Sequence, residues 1–145
     1  EKIHPYDYEK KTVVAGTEAK IFNTSCKFGV MICYDAVFPG VAEVLTKKGA
    51  QIIFSPSRIV KEGIEPWKMY IQVRSLENRV PIVAPNVEDL KFGGNSLIVE
   101  LTKEEKIVKT EITQLRGENQ ESKNIRFSNY ETIREQRISD RNNFQ

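Results

Sequence analysis

Residues 29–39 read GVMICYDAVFP. Gly29 to Ile32 form an apolar run with no polar alternation, the pattern of a strand covered on both faces. The run breaks at Cys33, Tyr34 and Asp35, and Phe38-Pro39 closes it. Proline suits the first turn of a helix. A cysteine between such a strand and such a helix has two readings. It is a small buried hydrophobe like its neighbours, or a nucleophile held where α/β folds open a crevice beyond the strand ends.

The flanking sequence places this stretch in an α/β frame. Two β-type runs, Ala19–Phe22 and Phe28–Tyr34, lie either side of the turn-forming NTSC. After Pro39, Val41, Val44 and Leu45 fall at helical spacing and Gly49 ends the helix. QIIFSPS (51–57) is a short strand closed by Pro56. Trp67–Asn78 is predicted as a helix with Met69, Ile71, Val73 and Leu76 as its apolar residues. VPIVAPN (80–86) and GGNSLIVEL (93–101) follow as strands, the second pairing with EEKIVKTEI (104–112) in a hairpin through TKEE (102–105). This order predicts helices layered on a sheet. From Leu115 the chain turns polar and charged, which divides it into a domain portion, 1–114, and an extension, 115–145, expected to pack on the domain or on a partner subunit.

Composition narrows the class. A chain of 145 residues buries enough surface to fold without a disulfide or metal staple. A net charge of +2 with 39% hydrophobic and 29% charged residues gives no reason to expect nucleic acid as a partner. The apolar stretches are strand-sized, short of the roughly 20 residues of a membrane-spanning helix, and EKIHPYDYEK lacks a signal-peptide core. The expectation is a cytoplasmic protein, off the membrane, with Cys26 and Cys33 as free thiols. One histidine and two cysteines in unlike contexts do not give metal-ligand spacing.

The decision on Cys33 comes from resemblance. GVMICYDAVFP resembles the nucleophile motif of the carbon-nitrogen hydrolase family, or nitrilase superfamily, which reads G-x-x-I-C-Y-D-x-x-F-P. Upstream, KIHPYDYEKKTVVAGTE (2–18) is similar to the family's lysine segment. Downstream, GAQIIFSPS (49–57), RSLENRVPIVAPN (74–86) and GGNSLIVE (93–100) are similar, in order, to three further family segments. IREQRISDR (133–141) resembles the closing arginine-rich stretch. The resemblance implies a four-layer αββα sandwich, of which this chain is the second half, and leaves a sheet face for a missing N-terminal half to cover. It also implies a Glu-Lys-Cys triad acting on a small-molecule amide or related substrate with no cofactor, in a homo-oligomer.

Carried over by position, Cys33 is the nucleophile and Lys2 the triad lysine. The general-base glutamate of the family precedes the lysine segment and has no counterpart among these residues. Glu9 is the best match to a second glutamate near the site, with Glu18 as a fallback. A lysine ammonium beside a thiolate lowers the thiol pKa, and with the Tyr34 N–H it could hold a developing oxyanion. Tyr34 and Ser57 are expected to line the substrate pocket. His4, the one histidine, is read as a hydrogen-bonding support of the lysine loop, with a Cys-His acyltransferase as the competing reading. A non-catalytic partner that retains the fold is the remaining alternative. Asp35 is expected to fix its turn, Arg74, Glu77 and Asn78 to form a structural ion-pair network, Trp67 to pack, and Cys26 to be a bystander.

Overall fold

The computed structural model describes residues 1–117 and 120–143. Among these, six strands form one mixed sheet in chain order. They are β1 (Ile21–Asn23), β2 (Lys27–Val30), β3 (Ile52–Phe54), β4 (Ile82–Ala84), β5 (Ser96–Glu104) and β6 (Ile107–Leu115). Three helices accompany them: α1 (Pro39–Lys47), α2 (Ile64–Asn78) and α3 (Ser128–Asn142). The expected α/β class is observed.

Only β2, β3 and β4 run parallel, joined through α1 and α2, while the outer strands pair antiparallel. Strand order never reverses along the sheet. Crossovers of one hand between strands added in one direction put both helices on the same face. That face carries Gly29, Ile53, Ile82 and Val99 in register, packed with Leu45, Trp67 and Ile71. Gly29 is needed there: a Cβ on it would lie 2.7 Å from Leu45 Cδ2, so α1 sits directly on the backbone of β2.

Among the described residues, no helix lies over the opposite face. Phe22, Phe28 and Phe54 lie across it, with ring centroids 5.2 Å apart for Phe22–Phe28 and 5.5 Å for Phe28–Phe54. Phe22 is 44% exposed and Phe54 36%.

Several boundaries differ from expectation. The nucleophile strand ends at Val30, and Cys33–Val37 is a 3-10 turn. Edge pairing nonetheless continues, since Met31 N–H donates to Phe54 O (2.9 Å) and Cys33 N–H to Pro56 O (2.9 Å). The second helix begins at Ile64, before Trp67. Its inward face is Ile64, Trp67, Ile71, Arg74, Ser75 and Asn78, whereas Met69 and Val73 are exposed. Met69, Ile71 and Val73 alternate by two, so a helix cannot turn them all inward. β5 runs through Glu104, which pairs with Ile107, so the hairpin turns at Glu105 and Lys106.

Beyond the polar stretch the chain forms α3, docked through buried Tyr130 and Arg134. Arg134 donates to Ala50 O (3.0 Å) and Arg79 O (3.2 Å), and Arg141 to Asn78 Oδ1 (2.8 Å) and Glu77 O (2.7 Å). The Glu77 and Arg79 carbonyls lie at the C-terminal end of α2, where the helix leaves acceptors free, and the Ala50 carbonyl lies just before β3. Asn119 and its neighbour Glu118, with Phe144 and Gln145, lie outside the described residues.

Candidate active site

The parallel strands β2, β3 and β4 end on one side of the sheet, and the chain beyond each end supplies the site. Beyond β2 stands Cys33, partly exposed, with φ at +50°. This left-handed backbone is unfavourable for a residue with a Cβ. Such a conformation persists only where its surroundings hold it, and here they do so from three sides. The Pro56 carbonyl beyond β3 receives the Cys33 N–H (2.9 Å). From α2, buried Arg74 donates to Ala36 O (3.0 Å) and Val37 O (2.8 Å) and pairs with Glu77 (3.0 Å). From within the turn, Asp35, 1% exposed, accepts the N–H of Ile32 (3.0 Å).

Asp35 also reaches out of its own turn. Its carboxylate accepts the N–H groups of Ile3 (3.4 Å) and His4 (2.7 Å), and His4 Nδ1 lies 3.0 Å from it. The Lys2 segment is therefore tied to the Cys33 turn through one buried acid. His4 is further stacked on Phe38 at 3.9 Å and lines a surface hollow that does not include Cys33.

Lys2, its side chain 9% exposed, is ion-paired with Glu9 by a direct Nζ to Oε2 contact. Glu9 also accepts the Tyr6 N–H (2.6 Å). The Lys2 hydrogen bond first and the Tyr6 N–H second hold the Glu9 carboxyl below its ordinary range, against a smaller opposing effect of burial. A carboxylate so held is a poor proton acceptor and a firm orienting group for the ammonium. Glu18 pairs instead with Lys48 (2.9 Å), on the surface.

Two cavities meet at Cys33. One, of about 530 Å³, is lined by Lys2, Glu9, Cys33 and Ser57 with Arg58, Lys91 and others, so it gathers most of the residues singled out from the sequence. The other, of about 260 Å³, is mainly apolar, lined by Cys33, Tyr34, Val37, Ile59, Trp67 and Tyr70 among others. Tyr34 faces this second cavity and not the one holding Lys2. Ser57 is 7% exposed and its hydroxyl donates to Ser55 O (3.2 Å). Trp67 is buried as expected, its indole N–H without a partner among the described residues. Cys26 lines neither cavity. No group of three or more His, Cys, Asp or Glu able to hold a metal occurs among the described residues, and no helix of theirs is long and apolar enough to cross a membrane.

Sequence reading missed Arg58 and Lys91 as lining residues. Arg58 directly follows the S-P-S that ends the β3 segment, and that position beside a strand end was the available signal.

Residues 1–104 match the model of the carbon-nitrogen hydrolase family. A protein described as a probable nitrilase of Schizosaccharomyces pombe is 36% identical over 103 residues, covering 68% of this chain and 38% of its own length. A deaminated glutathione amidase of Synechocystis is 31% identical over 117 residues, covering 68% and 43%. The crystal structure of a carbon-nitrogen hydrolase from Helicobacter pylori superposes with a TM-score of 0.70 at 24% identity, covering 93% of this chain and 53% of that one. The chain thus spans less than half the length of these two curated relatives.

Proposed function

Since the chain belongs to the carbon-nitrogen hydrolase family, we propose that it contributes the nucleophile half of an amidase-type active site cleaving a non-peptide C–N bond. The observation that carries this reading is the placement of Cys33, in a left-handed turn beyond β2, in one cavity with ion-paired Lys2. The Cys33 thiolate attacks the amide carbonyl carbon. The oxyanion that forms is held by the Lys2 ammonium with the Tyr34 N–H, an arrangement in which losing one donor typically costs about a hundredfold or more. Collapse of the tetrahedral intermediate expels ammonia or an amine, which takes up a proton, and leaves a thioester. Water then cleaves the thioester, releasing the acid and restoring the thiol. No cofactor takes part.

The proton carrier in this proposal is a glutamate from outside these residues, because Glu9 is committed to Lys2. The partner segment that brings it also covers the phenylalanine face of the sheet, completing a four-layer sandwich. An apolar face left in water costs about 25 cal/mol per Å², which favours a permanent cover. Exposed Val44 on α1 with Met69 and Val73 on α2 supports self-association of copies through the helical layer. The two free thiols support a reducing, cytosolic setting.

The test is ammonia release from simple amides by the complete polypeptide carrying this chain, with and without Cys33→Ala. Activity is expected to vanish in the variant, and a mass increase equal to the acyl group is expected on Cys33 in the parent. Undiminished turnover by Cys33→Ala would overturn the proposal.

A further inference from the structure

Three cations line the larger cavity at Cys33; Lys2 is paired with Glu9, and the other two, Arg58 and Lys91, are in no ion pair among the described residues. Both are gathered over one aromatic ring. The Arg58 guanidinium carbon lies 4.5 Å from the Phe92 centroid and Lys91 Nζ 5.7 Å from it. A ring face orients a cation without neutralising it.

The backbone beneath them is pinned. Ser57 N–H donates to Pro85 O (2.9 Å) and Ile59 N–H to Asn86 Oδ1 (2.8 Å), fixing the residues on either side of Arg58. Val60 and Phe92 form an antiparallel bridge, and Gly93 N–H donates to Ile59 O (2.9 Å), so the Arg58 segment and the Lys91 segment move as one. Arg58 also lines the apolar cavity, which places it beside any ligand held at Cys33 in either arm.

The acids nearby are otherwise engaged or lie outward. Glu9 is paired with Lys2; Asp89 accepts the N–H groups of Lys91 (2.7 Å) and Phe92 (2.8 Å) and feels the Arg58 charge only as a lesser influence, without an ion-pair contact; Asp7 is exposed at the cavity lining. The cavity therefore presents two positive groups with no internal anion bound to them. We infer that the amide processed at Cys33 carries a carboxylate, seated on the Arg58 fork with Lys91 beside it. Guanidinium geometry matches a carboxylate through two parallel hydrogen bonds. A phosphate, with its second negative charge, would be repelled more strongly by Asp7 and Glu9 on the same lining.

This inference rests on the amidase reading, and the experiment separates the two. The complete polypeptide is assayed with succinamate against butyramide and with glutaramate against valeramide, pairs in which a carboxylate replaces a terminal methyl. The kcat/KM ratio is expected to favour the charged amide by about tenfold or more. Arg58→Gln should lower that ratio about tenfold, and Arg58→Lys less, because lysine keeps the charge and loses the fork. A ratio unchanged by Arg58→Gln in both pairs overturns the inference. If no amide is hydrolysed, the amidase reading fails, and calorimetric binding to the Cys33→Ala protein decides the rest. Tighter binding of the charged amides, lost on adding Arg58→Gln, upholds the carboxylate seat, and equal or absent binding overturns it.

Discussion

The carboxylate of Asp35 accepts both the backbone N–H of His4 (2.7 Å) and, at 3.0 Å, the proton of its ring Nδ1. Because the same carboxylate accepts Ile32 N–H, one buried group sets the lysine segment against the nucleophile turn. Asp35→Ala is expected to leave several N–H groups without partners, destabilising the protein by about 3 kcal/mol or more, and to lower amide turnover at least about a hundredfold by misplacing Lys2. His4→Ala removes one of those contacts and should cost about 1 kcal/mol, with acylation of Cys33 retained. Denaturant unfolding and acyl-adduct mass spectrometry check both. Loss of acylation in His4→Ala alone would favour the Cys-His reading.

The Lys2–Glu9 pair carries a pH signature. The Lys2 hydrogen bond, with the Tyr6 N–H behind it, holds the Glu9 carboxyl below the ordinary carboxylate range. A depressed carboxylate contributes stability that is present above its unfolded pKa and lost as pH falls through the folded one. Between about pH 5 and pH 3 the parent should therefore lose more stability than Glu9→Gln, measured by melting temperature across that window. Equal slopes would show that the pair does not hold in solution. At neutral pH, Glu9→Gln is expected to lower kcat more than it raises KM, since it frees Lys2 from its orientation.

Helix α1 lies on the backbone of β2, which leaves no room for a side chain at Gly29. Gly29→Ala drives a methyl into Leu45, itself fully buried, and should destabilise by about 1–3 kcal/mol. Leu45→Ala alone costs about 2–5 kcal/mol. The double variant should cost clearly less than the sum, because the new methyl enters the space the leucine leaves. Additive losses in a double-mutant cycle would contradict the contact.

Docking of α3 depends on Arg134, 6% exposed and bonded to two carbonyls of the body. Arg134→Met keeps the length of the stem and removes both bonds, at a cost of about 3 kcal/mol. Proteolysis is then expected to cut between Gln120 and Phe127 well before the core is attacked. Arg134→Lys should behave like the methionine variant, since one ammonium does not replace a fork reaching two carbonyls.

What the sequence disclosed and what it hid divide along physical lines. Strand–helix alternation was legible because Pro39, Gly49 and Pro56 punctuate it and apolar runs mark the buried strands. The face of α2 was not, because three of its six buried residues, Arg74, Ser75 and Asn78, are polar and are buried with carbonyl partners, those of Arg74 in the distant Cys33 turn, that of Ser75 just past the helix and that of Asn78 one turn back. Packing of the extension was expected, but not the α3 helix or its anchors, because arginines rather than an apolar stripe hold it to the body. The resemblance placed Lys2 and Glu9 near one site without pairing them, and their ion pair, like the split between the Lys2 cavity and the Tyr34 cavity, depends on the direction each side chain takes. Arg58 escaped notice because nothing in a linear string reveals that Phe92, more than thirty residues later, lies beneath it.

The left-handed backbone of Cys33 acts as a filter on mutational paths. Serine or asparagine can occupy this position with modest strain, whereas a β-branched threonine meets its own backbone, so drift toward a threonine nucleophile is closed on steric grounds. Glycine is the residue this conformation favours most, and Cys33→Gly is expected to melt at or above the temperature of Cys33→Ala. Selection for stability alone would thus favour glycine over the thiol at this turn, so the backbone of Cys33 and the proposed chemistry of its side chain pull the position in opposite directions.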